Sequence, residues 1–121
     1  MAVGNSIAGG GVDTVSSGGQ TSGLKLLGGT QQVAASGTAS GTQVSGGSQF
    51  VSLGGTTIAT TLSNGTQSVA ASGIASGTMV GLAATQTVLA SGNADFTTIA
   101  SGGLQKIAGT ASGATVSGGT A

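Results

Sequence analysis

Two interleaved columns of aliphatic residues run the length of this chain. Ile7, Leu26, Val44, Leu62, Val80, Ile99 and Val116 follow one another at spacings of 19, 18, 18, 18, 19 and 17 residues. Between them, Val15, Val33, Val51, Val69, Val88 and Ile107 recur at 18, 18, 18, 19 and 19. Self-similarity at a short fixed period marks stacked units, each burying its apolar side only against its neighbours. Such a chain is expected to offer length and surface rather than a pocket.

One unit, residues 30–47, reads TQQVAASG and then TASGTQVSGG. The next two read SQFVSLGG with TTIATTLSNG, and TQSVAASG with IASGTMVGLA. Each has a short arm, x-Q-x-V-x-x-[SG]-G, and a long arm, x-[AT]-x-x-T-x-V-x-G-G. Both arms are too short for a stable helix and end in glycine, which argues against helical repeats. Within them Gln31-x-Val33 and Thr42-x-Val44 alternate with the period of two that strands show. Glycine pairs at the arm boundaries, such as Gly28-Gly29, Gly46-Gly47 and Gly102-Gly103, supply the positive φ of tight corners. Strand, corner, strand, corner in one direction predicts an all-β fold. It is a parallel β-helix, or β-solenoid, of about six to seven coils with an 18–19-residue period, filling residues 1–121 as one domain.

In such a coil, equivalent residues stack about 4.8 Å apart. The two aliphatic columns become the seams of a dry core, each side chain contributing roughly 1.5–3 kcal/mol of burial. A third column, Ala2, Thr21, Ala39, Thr57, Ala75, Ala94 and Ala111, is small, as a narrow interior requires. A fourth, Gln31, Gln49, Gln67, Gln86 and Gln105, is expected to form an amide ladder along the axis. A fifth, Thr42, Thr60, Thr78 and Thr97, shares the inward parity of the valines. It is expected to form a hydroxyl ladder hydrogen-bonded along the axis.

Stacking also accounts for the scarcity of charge, because like charges about 4.8 Å apart repel by roughly 1 kcal/mol even in water. Only Asp13, Lys25, Asp95 and Lys106 are charged. Lys25 shares its column with Gln43, Thr61, Met79, Thr98 and Thr115, and Lys106 shares one with Thr14, Gln32, Phe50, Ser68 and Thr87. Both columns are expected to face water. By parity Phe50, Met79 and Phe96 also lie outside, as scattered surface residues. Asp13 departs from the pattern: it stands in the glutamine column, where a buried carboxylate is costly. Together with uneven spacing around Gln20–Leu24, it predicts a loose first coil.

A net charge of zero gives no electrostatic case for nucleic acid or an anionic membrane. No apolar run is long enough to span a bilayer, so this segment is expected not to insert. The opening residues MAVGNSIAGG lack the basic and apolar parts of a secretory signal. The 26 glycines do not make the chain a linker, since disordered segments favour charge and proline over β-branched residues. With no Cys, His or Glu, no thiolate metal site and no nucleophile–base pair can be assembled. Asp13 and Asp95 lie about four coils, roughly 20 Å, apart, beyond the about 5–9.5 Å of a glycosidase pair. Calcium-binding β-rolls need an aspartate in every unit, and none recurs here. No enzyme, cofactor or metal is expected.

The arms resemble the passenger repeats of AIDA-type self-associating autotransporter adhesins. The clearest stretches are TQQVAASGTASGTQVSGG, TQSVAASGIASGTMV and LQKIAGTASGATVSGGT. The resemblance implies a parallel β-helix displayed on a bacterial cell surface, acting in adherence, self-aggregation and biofilm formation. It also implies Ser/Thr glycosylation and partners in other copies of the chain or in host and neighbouring cells. Neither end carries the polar cap of a free solenoid, so the chain reads as part of a longer rod or as an end-to-end fibre subunit. A curli-like functional amyloid and an ice- or glycan-binding solenoid are the alternatives.

Overall fold

The computed structural model describes residues 2–3 and 6–116. Among them, short parallel strands wind into a triangular coil with three faces. The first face stacks Ala2–Val3, Gln20–Ser22, Thr38–Ser40, Thr56–Ile58, Ile74–Ser76, Asn93–Asp95 and Thr110–Ser112. The second stacks Ser6–Ala8, Lys25–Leu27, Gln43–Ser45, Thr61–Ser63, Met79–Val80, Thr98–Ile99 and Thr115–Val116. The third stacks Val12–Val15, Thr30–Val33, Ser48–Val51, Thr66–Val69, Thr85–Val88 and Leu104–Ile107. The chain is thus an all-β parallel solenoid of about six coils. In the buried columns like mostly pairs with like: Leu62 lies between Val44 and Val80, Val69 between Val51 and Val88, Gln67 between Gln49 and Gln86.

The long arm is not one strand but two, so each coil has three strands rather than one per arm. It breaks at a first corner where one residue per coil takes positive φ: Gly23, Gly41, Ala59, Gly77, Phe96 and Gly113, at 55 to 70°. Glycine pairs are unnecessary here because a single left-handed residue turns the chain. Its freed N–H bonds to the coil above, as Gly41 does to the Ile58 carbonyl and Ala59 to the Ser76 carbonyl, both at 2.8 Å. The following residue then points inward. Gln20–Leu24 follows the same rule, with Gln20, Thr21 and Ser22 in register with Thr38, Ala39 and Ser40. The expected irregularity there is absent, and Gly23 makes an ordinary corner.

The second corner joins the second and third faces, and its inner glycines stack tightly. A Cβ on Gly47 would strike the Gly29 carbonyl oxygen, and one on Gly65 the Val44 side chain. Ala84 fits the same place because its corner, Gly81-Leu82-Ala83-Ala84, is one residue longer than Ser63-Asn64-Gly65. The third corner is a four-residue turn, closed for example by Gly37 N–H to the Ala34 carbonyl at 2.9 Å. Its third residue has positive φ and is Gly18, Ser36, Gly54, Ser72 or Ser91. Longer and shorter corners account for the 17–19 variation in spacing.

Inside, Leu26, Val44, Leu62, Val80 and Ile99 form one apolar seam, with Ile7 packed against it half-buried. The other column packs as two clusters, Val15 and Val33 with Ala39, and Val51, Val69 and Val88 with Ala75 and Ala94. Two column members differ from expectation: Ile107 is 39% exposed and Val116 46%. They keep the register, but no described coil stacks beyond them to take up their burial. Conversely, Leu24 and Ala84 belong to the core, though neither stands in an aliphatic column.

The first corner makes a stability difference measurable. A side chain in the left-handed region costs roughly 1–2 kcal/mol, against the roughly 0.5–1 kcal/mol entropic cost of glycine. Ala59→Gly and Phe96→Gly are therefore each expected to raise stability by about 0.5–1 kcal/mol, seen as a higher urea midpoint at unchanged m-value.

Candidate functional site

The polar content of the bore is a single hydrogen-bonded chain. Gln49, Gln67, Gln86 and Gln105 are fully buried, and each donates from Nε2 to Oε1 of the glutamine one coil below at 2.6–2.7 Å. Every amide therefore points the same way along the axis. The buried threonines do not bond to one another, contrary to the expected hydroxyl ladder. Instead Thr42, Thr60, Thr78 and Thr97 each donate from Oγ1 to a glutamine Oε1 of the preceding coil, Gln31, Gln49, Gln67 and Gln86, at 3.3 Å. Successive threonines stand a whole coil apart, whereas the long glutamine side chain crosses the narrow bore and reaches them. Thr57 adds an acceptor for Gln67 Nε2 at 3.0 Å. Being buried, these threonines cannot form an ice-binding face.

The ladder ends differently at its two extremes. At the lower end Gln31 Nε2 donates to Asp13 Oδ2 at 3.2 Å. Asp13 is only half-buried, beside an open cavity of about 390 Å³ lined by Val15, Gly19 and Thr21 among others. A carboxylate is tolerated in the glutamine column because it has both a donor and water. The strand Val12–Val15 pairs along all four residues with Thr30–Val33, so the first coil is not loose at this point. At the upper end Gln105 Oε1 is buried without a partner among the described residues, where Ala114 stands in the place that the other coils give to threonine.

Outside, the rows are rich in hydroxyls: Thr30, Ser48, Thr66 and Thr85 on the third face, and Thr38, Thr56 and Thr110 on the first. Lys25 and Lys106 lie exposed in their outward columns. Phe50 and Met79 sit on strand faces and Phe96 on a corner, all exposed. Sequence reasoning passed over Ser36, Ser72 and Ser91, which are exposed at the third corner with positive φ. The signal was present, since each precedes a buried glycine in the same A-S-G triplet. Leu24 was legible too, standing two residues before Leu26 as Thr42 does before Val44.

The two aspartates remain far apart, Asp13 on the third face of the first coil and Asp95 on the first face of the sixth. Among the described residues no cluster of three or more His, Cys, Asp or Glu occurs, and no helix is long and apolar enough to cross a membrane. What the fold defines is a parallel β-solenoid with a glutamine ladder along its interior and hydroxyl-rich outer faces. No family model and no curated protein matches the chain. Among solved structures it is similar to a TibA 55–350 fragment whose hyper-glycosylation was catalysed by TibC. Identity is 31%, the TM-score is 0.70, and the match covers 98% of this chain. The chain spans 52% of that fragment's length.

The ladder can be tested directly. Gln67→Met keeps the volume but strips the acceptor from Gln86 Nε2 and Thr78 Oγ1, each orphan costing about 1–3 kcal/mol. A loss of about 2–5 kcal/mol in urea unfolding is expected, while Gln32→Met on the exposed face changes stability by less than about 0.5 kcal/mol.

Proposed function

We propose that this chain is part of a non-enzymatic, adhesive rod on a bacterial cell surface, acting through contacts with other cells or with further copies of itself. The observation that carries this reading is the match to the TibA fragment along almost the whole chain, at 31% identity. That fragment comes from an autotransporter adhesin passenger, the same kind of protein that the repeats resemble. The build of the coil supports it. A solenoid bonded internally along its axis stays extended without a globular core, and each coil adds about 4.8 Å of reach. Its outer rows carry no structural duty and are free to contact a partner.

Display on the surface of a non-aggregating bacterium is the test. Cells carrying the chain within a passenger are expected to settle and form biofilm several-fold faster than cells carrying the same passenger without it. Equal rates would overturn the adhesive reading.

Glycosylation of the outer hydroxyls is part of the proposal, supported by the glycosylated state of the TibA fragment. Ser36, Ser72 and Ser91 are the acceptors the geometry favours, because they are exposed on a protruding turn with small neighbours. In cells supplying a passenger glycosyltransferase, mass spectrometry is expected to find sugar on peptides holding these serines. Replacing all three with glycine, which the turn accepts, is expected to remove most of the added mass. Sugar confined to the flat faces would refute the assignment.

A further inference from the structure

The sixth coil carries on its outer side a combination that no other described coil has. The strand Asn93–Asp95 turns Ala94 into the core, so Asn93 and Asp95 both project outward. Phe96 follows at the first corner, 69% exposed, with φ 55° in a column otherwise made of glycine and alanine. Its N–H donates to the Ser112 carbonyl at 2.7 Å, while the Asp95 carbonyl accepts from Gly77 N–H at 2.9 Å. The backbone is thus pinned from both sides. The ring leans over Gly113, where a Cβ would come within 2.9 Å of Phe96 Cδ1. Strand register sets Asp95 between Ser76 and Ser112, and Asn93 beside Thr110.

The coil needs none of this, since glycine turns the same corner without strain and the ring stays outside the core. A strained, exposed aromatic next to the one outward aspartate among the described residues is the kind of feature that contact with a ligand explains. Its chemistry selects the ligand. An aromatic face packs against the C–H-rich side of a pyranose ring, while a carboxylate and a carboxamide pair with its hydroxyls. An apolar peptide would instead leave Asp95 and Asn93 unpaired, at a cost in binding. We infer that Asn93, Asp95 and Phe96, with the hydroxyls of Thr110 and Ser112, form a binding site for a neutral sugar ring. This goes beyond the adhesive reading and does not depend on whether rods associate with one another.

Saturation-transfer NMR of the whole chain with methyl α-mannopyranoside, methyl β-galactopyranoside and methyl β-glucopyranoside tests it. Transfer to one face of at least one of these sugars is expected. Phe96→Gly, which preserves the corner, is expected to cut the transfer at least fivefold without lowering the melting temperature. Asp95→Ser, matching its column neighbours, is expected to weaken it similarly. Ala59→Phe places an aromatic in the same column without the acid and amide, and is expected to create no second site. Immobilised glycosylated and unglycosylated copies of the chain then tell a sugar on a second rod from a free one. No transfer from the unmodified chain, undiminished transfer with Phe96→Gly, or equal binding at the Ala59→Phe site would each overturn the inference.

Discussion

Everything in this molecule follows from stacking each residue on its own equivalent, about 4.8 Å away. A glutamine placed inside such a coil has water nowhere near and must find its partner in its own column. Gln49, Gln67, Gln86 and Gln105 do so by donating each to the one below. Because Oε1 of Gln31, Gln49, Gln67 and Gln86 also accepts from a threonine of the next coil, one residue type serves two buried columns at once. The arrangement also enforces register. A slip of one residue would swap inner and outer sets along every strand, burying Lys25 or Lys106 and stranding the amides.

The same rule explains where the repeat tolerates departures. A charge enters the glutamine column only at Asp13, where the ladder ends and the carboxylate stays half-open to water. An alanine replaces an inner glycine only at Ala84, where an extra residue widens the corner. Outward columns, by contrast, accept lysine, phenylalanine, methionine and many hydroxyls side by side. Interior positions answer to their column, and exterior positions are free of that constraint. The coil as a whole superposes on the TibA fragment with a TM-score of 0.70 at 31% identity.

The repeat, the strand parity and the seams were legible because they are periodic in the chain itself. Val33 and Val51 announce their pairing by spacing, and Lys25 announces its outward face by exclusion from the core. The first corner was not legible, since Ala59 and Phe96 take positive φ without the glycine that normally signals it. Nor was the threonine partnership, because Thr42 and Gln31 are 11 residues apart and meet only across the bore. The outer site of Asn93, Asp95 and Phe96 was half legible. Its residues are adjacent in the chain, but only the coil brings Thr110 and Ser112 alongside them.

By itself, then, the sequence determined a parallel all-β coil, its period, and which columns line the bore, because stacking turns periodicity directly into contact. Only the tertiary structure decided that the coil has three sides, that threonine pairs with glutamine rather than with itself, and that Ile107 and Val116 stay exposed. Those outcomes depend on the width of the bore and on which coil covers which. Such distances run across the chain, and no spacing along it records them.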